Sequence, residues 1–326
     1  MQGKDPTKEP ARKKATARRT EPTPSGSTIG PLSRPINPVS FDHLVILAPG
    51  LLGASVARAA RTRARAGHIT VWARRAEVRA ALRGQPWIDT VADTPEEAVG
   101  HTRSGRTLVV LAAPVERIIE LDRQIAPHLP AGAIVTDVGS VKGPVCAAAA
   151  AHPRTAGALF IGSHPMAGSE KTGWEHGTDT LFDGRVCFIT PADGTPAEAI
   201  HHLEEFWRGL GSTVVKVAPA KHDEIVAHIS HLPQALATTL ACALAGQDAQ
   251  WRDLSGNGLR DTSRIAGSDP AMWIEIFQQN RDAVLIALER YERELAGFRH
   301  SLEQSDWPAL RAQLERGKDW RDGFGR

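Results

Sequence analysis

The chain has 326 residues, a net charge of +2 and 41% hydrophobic residues, enough for two ordinary domains that bury their cores without a disulfide or metal staple. Its three cysteines, Cys146, Cys187 and Cys242, stand in apolar stretches without metal-ligand spacing and are read as reduced core thiols, with no metal site expected. No run approaches the roughly 20 apolar residues of a membrane span, and the N-terminus lacks the apolar segment of a secretory signal, so a soluble, cytoplasmic protein is expected.

Residues 1–38 are rich in Pro, Thr, Ser, Lys and Arg and nearly lack large apolar side chains, the composition of a disordered basic tail. The first forty residues hold eight Lys/Arg against three Asp/Glu, so they carry +5 and the remainder −3. The cluster Arg12, Lys13, Lys14, Arg18 and Arg19 has no interleaved aromatics and is read as a solvated leader rather than a nucleic-acid site.

From Phe41 the pattern becomes apolar runs bounded by glycine and proline, at 44–47, 69–72, 107–111, 133–136, 158–161, 186–189 and 213–217. Continuous runs of this kind, alternating with helical stretches, predict a doubly wound (Rossmann-like) parallel sheet of class α/β, over residues 39–218. Residues 219–326 read as helices, an all-α dimerisation and substrate domain. Ser268-Asp269-Pro270 is a capped helix start, and Trp273, Phe277, Val284, Leu288, Tyr291 and Leu295 then form a stripe that needs a partner surface. A homodimer is the expected answer, with intramolecular packing as the plainer one.

Between the first strand and first helix stands Ala48-Pro49-Gly50-Leu51-Leu52-Gly53, a dinucleotide turn with alanine at the usual first glycine. Gly50 lets backbone approach a pyrophosphate, Gly53 permits close packing of helix on strand, and the helix N-terminus favours the anion. At the end of the second strand Trp72-Ala73-Arg74-Arg75 carries two guanidiniums where an NAD enzyme places a carboxylate, so NADP is favoured with NAD possible. Leu51, Leu52, Ala113, Pro114 and Gly139 complete the expected cofactor contacts.

Four segments then stand in order: Asp137-Val138-Gly139-Ser140-Val141-Lys142, Gly162-Ser163-His164-Pro165-Met166-Ala167-Gly168, Ser230-His231-Leu232-Pro233-Gln234, and Arg260 to Trp273. With them, Phe41 to Arg299 resembles the prephenate/arogenate dehydrogenase family. The resemblance implies hydride transfer from a ring carbon to a nicotinamide, with loss of the ring carboxylate and gain of aromaticity. It implies His164 as the base for the ring hydroxyl, Ser140 as the residue that orients it, and Arg264 at the substrate carboxylate. Arg260 is a weaker carboxylate candidate, equally a salt-bridge partner of Asp261.

The segment Ser230, His231 and Gln234 lines the substrate on one helix face, beside a kink at Pro233. Many prephenate-using relatives carry a histidine where this chain has Gln234, so Gln234 is read as tuning the choice between a keto and an amino side chain. Trp273 is either an aromatic reaching toward a neighbouring subunit's site or plain core. Lys142 is placed either near the phosphates or nicotinamide or, as is common for a lysine opening a helix, on the surface, and His222-Asp223 is read as a helix-start pair rather than a catalytic dyad. Prephenate is the expected substrate and arogenate the alternative; a β-hydroxyacid dehydrogenase and a non-catalytic NADP-binding sensor are the other readings.

Overall fold

The structure, a computed structural model, describes residues 40–100, 105–168 and 171–324. The basic tail, residues 1–38, lies outside the described residues. Strands β1 (Phe41–Leu47), β2 (Ala66–Trp72), β3 (Thr90–Val91), β4 (Thr107–Leu111), β5 (Ile134–Asp137) and β6 (Leu159–Phe160) form one parallel sheet in the order β3-β2-β1-β4-β5-β6. Helices α1 (Leu51–Thr62), α2 (Ala76–Leu82), α3 (Pro95–Gly100), α4 (Val115–Ile125) and α5 (Gly143–Ala151) make the crossovers. The central stretches of β1 and β4 are continuous apolar runs because both faces are covered. In β1, Leu44 and Ile46 enter the core packed on α1, while Val45 and Leu47 enter a second core on α4. This is the expected doubly wound domain, and the order reverses between β1 and β4, where such sheets open their ligand crevice.

The last apolar runs do not extend that sheet. Strands β7 (Gly162–Pro165), β8 (Val186–Thr190) and β9 (Thr213–Lys216) form a separate mixed sheet, β7 antiparallel and β9 parallel to β8, with α6 (Ala197–Gly209) between β8 and β9. The switch occurs at Gly162, where a Cβ would sit 2.5 Å from Thr190 Oγ1, so only glycine lets β7 lie so close to β8.

After β9 the chain is helical: α7 (Pro219–Val226), a π-helical turn Ala227–His231, α8 (Leu232–Ala245), α9 (Asn257–Ser263), α10 (Pro270–Gln279), α11 (Arg281–Glu303) and α12 (Trp307–Asp322). The kink expected at Pro233 appears as that π-turn. Proline has no N–H and its ring crowds the carbonyl four residues back, and the widened turn accommodates both. The stripe from Trp273 to Leu295 is divided at Asn280, which ends α10 and is itself buried. Among the described residues the buried cluster of this half comprises Ala227, Val284 and Ala287, whereas Ile274, Leu285, Ile286 and Leu302 are exposed. Cys242, read from its neighbours as core, is exposed on α8, because only one stripe of α8 faces the chain's own interior. No helix among the described residues is long and apolar enough to cross a membrane.

Candidate active site

At the C-terminal ends of β1 and β2 lies a cavity of about 590 Å³, walled by Ala48, Pro49 and Gly50 on one side and by Arg74 and Arg75 on another. Ala113, Pro114, Trp174 and Glu175 also line it. Helix α1 begins there with no side-chain cap and no acidic residue in its first turn, so its free N–H groups and dipole face any anion in the turn. The two glycines separate cleanly by role. A Cβ on Gly53 would strike Ala112 and Ile46 at 2.8 and 3.0 Å, so Gly53 serves helix-on-strand packing; a Cβ on Gly50 would meet no protein atom, leaving room for a ligand. These features fit a dinucleotide. Gly53, Leu51, Leu52 and Gly139 are not among the residues that line the cavity. Leu51 and Leu52 offer the amides of the first helical turn, and Gly139 is buried with its N–H given to Asp137 Oδ2 at 2.9 Å.

His164 stands on β7 and is 8% exposed. Its backbone position is set by Ser163, every polar atom of which has a partner. Ser163 N donates to Asp137 Oδ1 (3.0 Å), its carbonyl accepts from Lys142 Nζ (2.8 Å), and its hydroxyl meets Thr136 Oγ1 (2.6 Å) and Trp207 Nε1 (3.1 Å). Lys142 also pairs with Asp137, and both side chains are fully buried. The expectation of a surface lysine is therefore overturned: Lys142 and Asp137 staple β7 to the end of β5, with the ion pair compensating the desolvation of both charges.

The imidazole of His164 reaches His222, Nδ1 to Nε2 at 2.8 Å, and His222 Nδ1 lies 2.8 Å from Asp223 Oδ1. Burial pushes His164 well below the ordinary histidine range, helped by the neighbouring His222 and Lys142. Burial also lowers His222, against the opposite pull of Asp223. Both rings are therefore neutral at neutral pH, the state a proton acceptor needs. Ser140 lies in the loop after β5, half-buried, with no side-chain hydrogen bond to His164. His222-Asp223, read from sequence as a helix start, instead contacts the candidate base.

The helical half brings further groups to this cluster. Asn280 Nδ2 donates to the Asp223 carbonyl (2.9 Å) and lies 3.1 Å from His231 Nδ1. His231 Nδ1 is thus the acceptor, and the proton of the neutral ring sits on Nε2. Its pKa is lowered to about 4, chiefly by burial. Trp273 packs edge-on to His231, with ring centroids 5.9 Å apart, so within its own chain it supports the site rather than leaving it. Gln234, 4% exposed, holds Thr238 Oγ1 at 3.3 Å and has a buried carbonyl oxygen without a partner. Ser230 is half-buried on the π-turn. Arg264 opens a short 3-10 turn packed on α8; it is exposed and has no ion pair or hydrogen bond through its side chain among the described residues. Arg260 is likewise exposed and does not pair with Asp261.

Comparison with known proteins gives this arrangement its family. The profile described as prephenate dehydrogenase, nucleotide-binding domain, matches residues 56–216, and that described as prephenate dehydrogenase, dimerization domain, matches residues 218–316. The chain belongs to the prephenate dehydrogenase family. It is an NAD(P)-dependent oxidoreductase of that family. A cyclohexadienyl dehydrogenase of Zymomonas mobilis is 29% identical over 270 residues, covering 82% of this chain and 90% of that protein. Arogenate dehydrogenase of Synechocystis superposes with a TM-score of 0.76 at 28% identity, covering 86% of this chain and 99% of its own. Prephenate dehydrogenase of Aquifex aeolicus, in complex with hydroxyphenyl propionate and NAD+, gives 0.77 at 28% identity, covering 86% and 97%.

Within this prephenate dehydrogenase fold, the residues that sequence reasoning missed are Asp137, Lys142, Ser163, His222, Asp223, Asn280 and Trp174. Asp137 and Lys142 were quoted in a motif, but nothing local reveals a buried ion pair five residues apart. His222 lies 58 positions from His164, and Asn280 lies 49 from His231. The one available signal was Asn280 itself, a polar residue that breaks the apolar stripe of α10 and α11.

Proposed function

We propose that the protein is a prephenate dehydrogenase that converts prephenate to 4-hydroxyphenylpyruvate with NADP, as a cytoplasmic homodimer. Residues 39–218 form its dinucleotide domain and residues 219–326 its substrate and dimerisation domain. The observation that carries the reading is a buried, neutral His164, tied through Ser163 to Asp137 at the C-terminal end of β5, in a sheet whose strand ends also carry the dinucleotide cavity, with an exposed arginine on the helical half that has no side-chain partner among the described residues. A nicotinamide dinucleotide, when bound, accepts the hydride from the hydroxyl-bearing ring carbon.

The chain's own residues supply the rest. His164 takes the ring hydroxyl proton as carbonyl character develops, and the ring carboxylate then leaves as carbon dioxide to complete the aromatic ring. Arg264, with no carboxylate partner among the described residues, is suited to pair with a substrate carboxylate through its planar fork. His231, Ser230, Gln234 and Trp273 wall the ring. The unpartnered Gln234 carbonyl oxygen, by turning its amide, presents either a donor or an acceptor to the substrate side chain. Arogenate is the alternative substrate on this ground.

For NADP over NAD, the support is Arg74, which lines the cavity with no side-chain partner among the described residues, whereas Arg75 is shared with Glu77 at 3.6 Å. The homodimer rests on the exposed apolar side chains of α10 and α11. The deciding experiment follows reduced-cofactor absorbance with prephenate or arogenate, each with NADP or NAD. Prephenate with NADP is expected to be fastest, and Arg74→Ser is expected to narrow the cofactor preference about tenfold. Turnover with neither substrate sinks the reading. Equal rates with both cofactors in wild type sink the cofactor assignment alone.

A further inference from the structure

The candidate base touches His222 and, through it, reaches Asp223, two residues to which the reaction gives no task. His222 is fully buried, with its ring edge-on to Phe188 at 5.2 Å between centroids, and it bridges His164 Nδ1 to Asp223 Oδ1. Asp223 receives backbone donors as well. The amide of Lys142 gives to Oδ1 and that of Gly143 to Oδ2, each at 2.8 Å, so the carboxylate is fixed as an acceptor at the start of α5.

The direction of every proton in this chain of groups follows. Because Asp223 accepts, His222 must carry its proton on Nδ1. A neutral His222 then has a lone pair on Nε2, so the bond to His164 is made by a proton on Nδ1 of His164. The lone pair of His164 is left on Nε2. That atom has no hydrogen-bond partner among the described residues, so it is the atom available to a substrate hydroxyl.

We infer that Asp223 and His222 are positioning residues that hold His164 in the Nδ1–H tautomer and so present Nε2 as the base. The inference rests on His164 being the base. When His164 takes the ring proton, the Nδ1–H of the resulting imidazolium already faces the neutral acceptor of His222, with the Asp223 carboxylate behind it. No reorganisation is needed to stabilise the new charge. An oriented base backed by a carboxylate is the logic of a hydrolase triad, here extended by one imidazole. A structural role alone would explain the burial of these groups but would not require one tautomer of His164.

The test uses the full chain with histidine labelled in its ring nitrogens, followed by nitrogen NMR at neutral pH, alongside steady-state kinetics. His164 is assigned through His164→Asn. The expected wild-type signature is a protonated Nδ1 and an unprotonated Nε2 on His164. His222→Leu removes the acceptor and is expected to lower kcat at least ~100-fold, with KM and cofactor affinity within about threefold. His222→Gln keeps an acceptor near the same place and is expected to recover at least about tenfold of that loss. A wild-type His164 protonated on Nε2, or a folded His222→Leu with unchanged kcat, overturns the inference. The wild-type spectrum decides even where His222→Leu does not fold. If His164→Asn retains full turnover, the base assignment itself falls. If His164→Asn loses turnover while His222→Leu keeps it, only the positioning role falls.

Discussion

His164 is held on its strand and at its Nδ1 by its own chain, whereas Arg264 stands exposed with no side-chain partner among the described residues, and this contrast follows how the two halves are packed. The nucleotide half buries both faces of a parallel sheet and spends two fully buried charges, Asp137 and Lys142, on fixing one strand. The helical half has a small buried cluster and leaves apolar side chains such as Ile274 and Ile286 in the open. A base must sit within a fraction of an ångström of its proton, and rigid strands supply that placement. Arg264, the proposed carboxylate clamp, stands on a short turn beside α8 and in that role needs only reach and charge until substrate arrives.

The contrast is tested most strongly by removing one charge from each half. Lys142→Met leaves Asp137 buried and uncompensated, and the loss of unfolding free energy is expected to be about 3–5 kcal/mol in urea titration. Lys142→Met with Asp137→Leu is expected to recover much of it. Arg264→Met, by comparison, is expected to stay within about 0.5 kcal/mol of wild type while raising KM for substrate. Equal stability losses at the two sites would erase the distinction.

Acid probes the same clusters together. His231 is lowered from 6.5 to about 4, and His164 and His222 are lowered as well, so below the unfolded value the unfolded chain binds more protons than the folded one. Stability is therefore fully present above about pH 6.5 and is lost as pH falls toward the folded values, with a slope near 1.4 kcal/mol per unit for each histidine. Urea midpoints measured stepwise from about pH 7 to about pH 5 are expected to fall steeply. His231→Asn is expected to flatten that fall, and an unchanged slope would count against a buried neutral ring.

The openness of the helical half makes a smaller prediction. If a second copy covers α11, replacing Ile286 by Asn removes about 2 kcal/mol of apolar burial per copy, about 4 kcal/mol per dimer, roughly a 1000-fold weakening of association. Sedimentation across a dilution series reads this directly. An undiminished dimer would place the interface on another face.

What sequence disclosed and what it hid follow the same division. The sheet, the glycine turn and the paired arginines were legible because each rests on residues within one short stretch: apolar runs, a Gly50 with open space, guanidiniums after β2. The separate sheet carrying His164 was not, since Gly162-Ser163-His164-Pro165 has no strand pattern of its own and is fixed by Asp137, Lys142 and Thr136 from other segments. His222-Asp223 was misread for the same reason. Adjacent His and Asp at the start of a helix satisfy a local rule, and only the fold shows that they face β7 and the first turn of α5 instead.

The smallest effect concerns the alanine at the first position of the dinucleotide turn. Ala48 has φ +63°, while its N–H still reaches Trp72 O and its carbonyl accepts from Gly50 N, both at 2.8 Å. For an L-residue this left-handed conformation costs about 1–2 kcal/mol, which glycine avoids. Glycine in turn loses about 0.5–1 kcal/mol more backbone entropy on folding. Ala48→Gly is therefore expected to raise the melting temperature slightly, by the equivalent of about 0.5–1 kcal/mol, while keeping both backbone hydrogen bonds. A lower melting temperature would mean that the turn is unstrained and that its packing against the alanine methyl outweighs the backbone preference. That would weaken the claim that the nucleotide half holds its site more rigidly than the helical half.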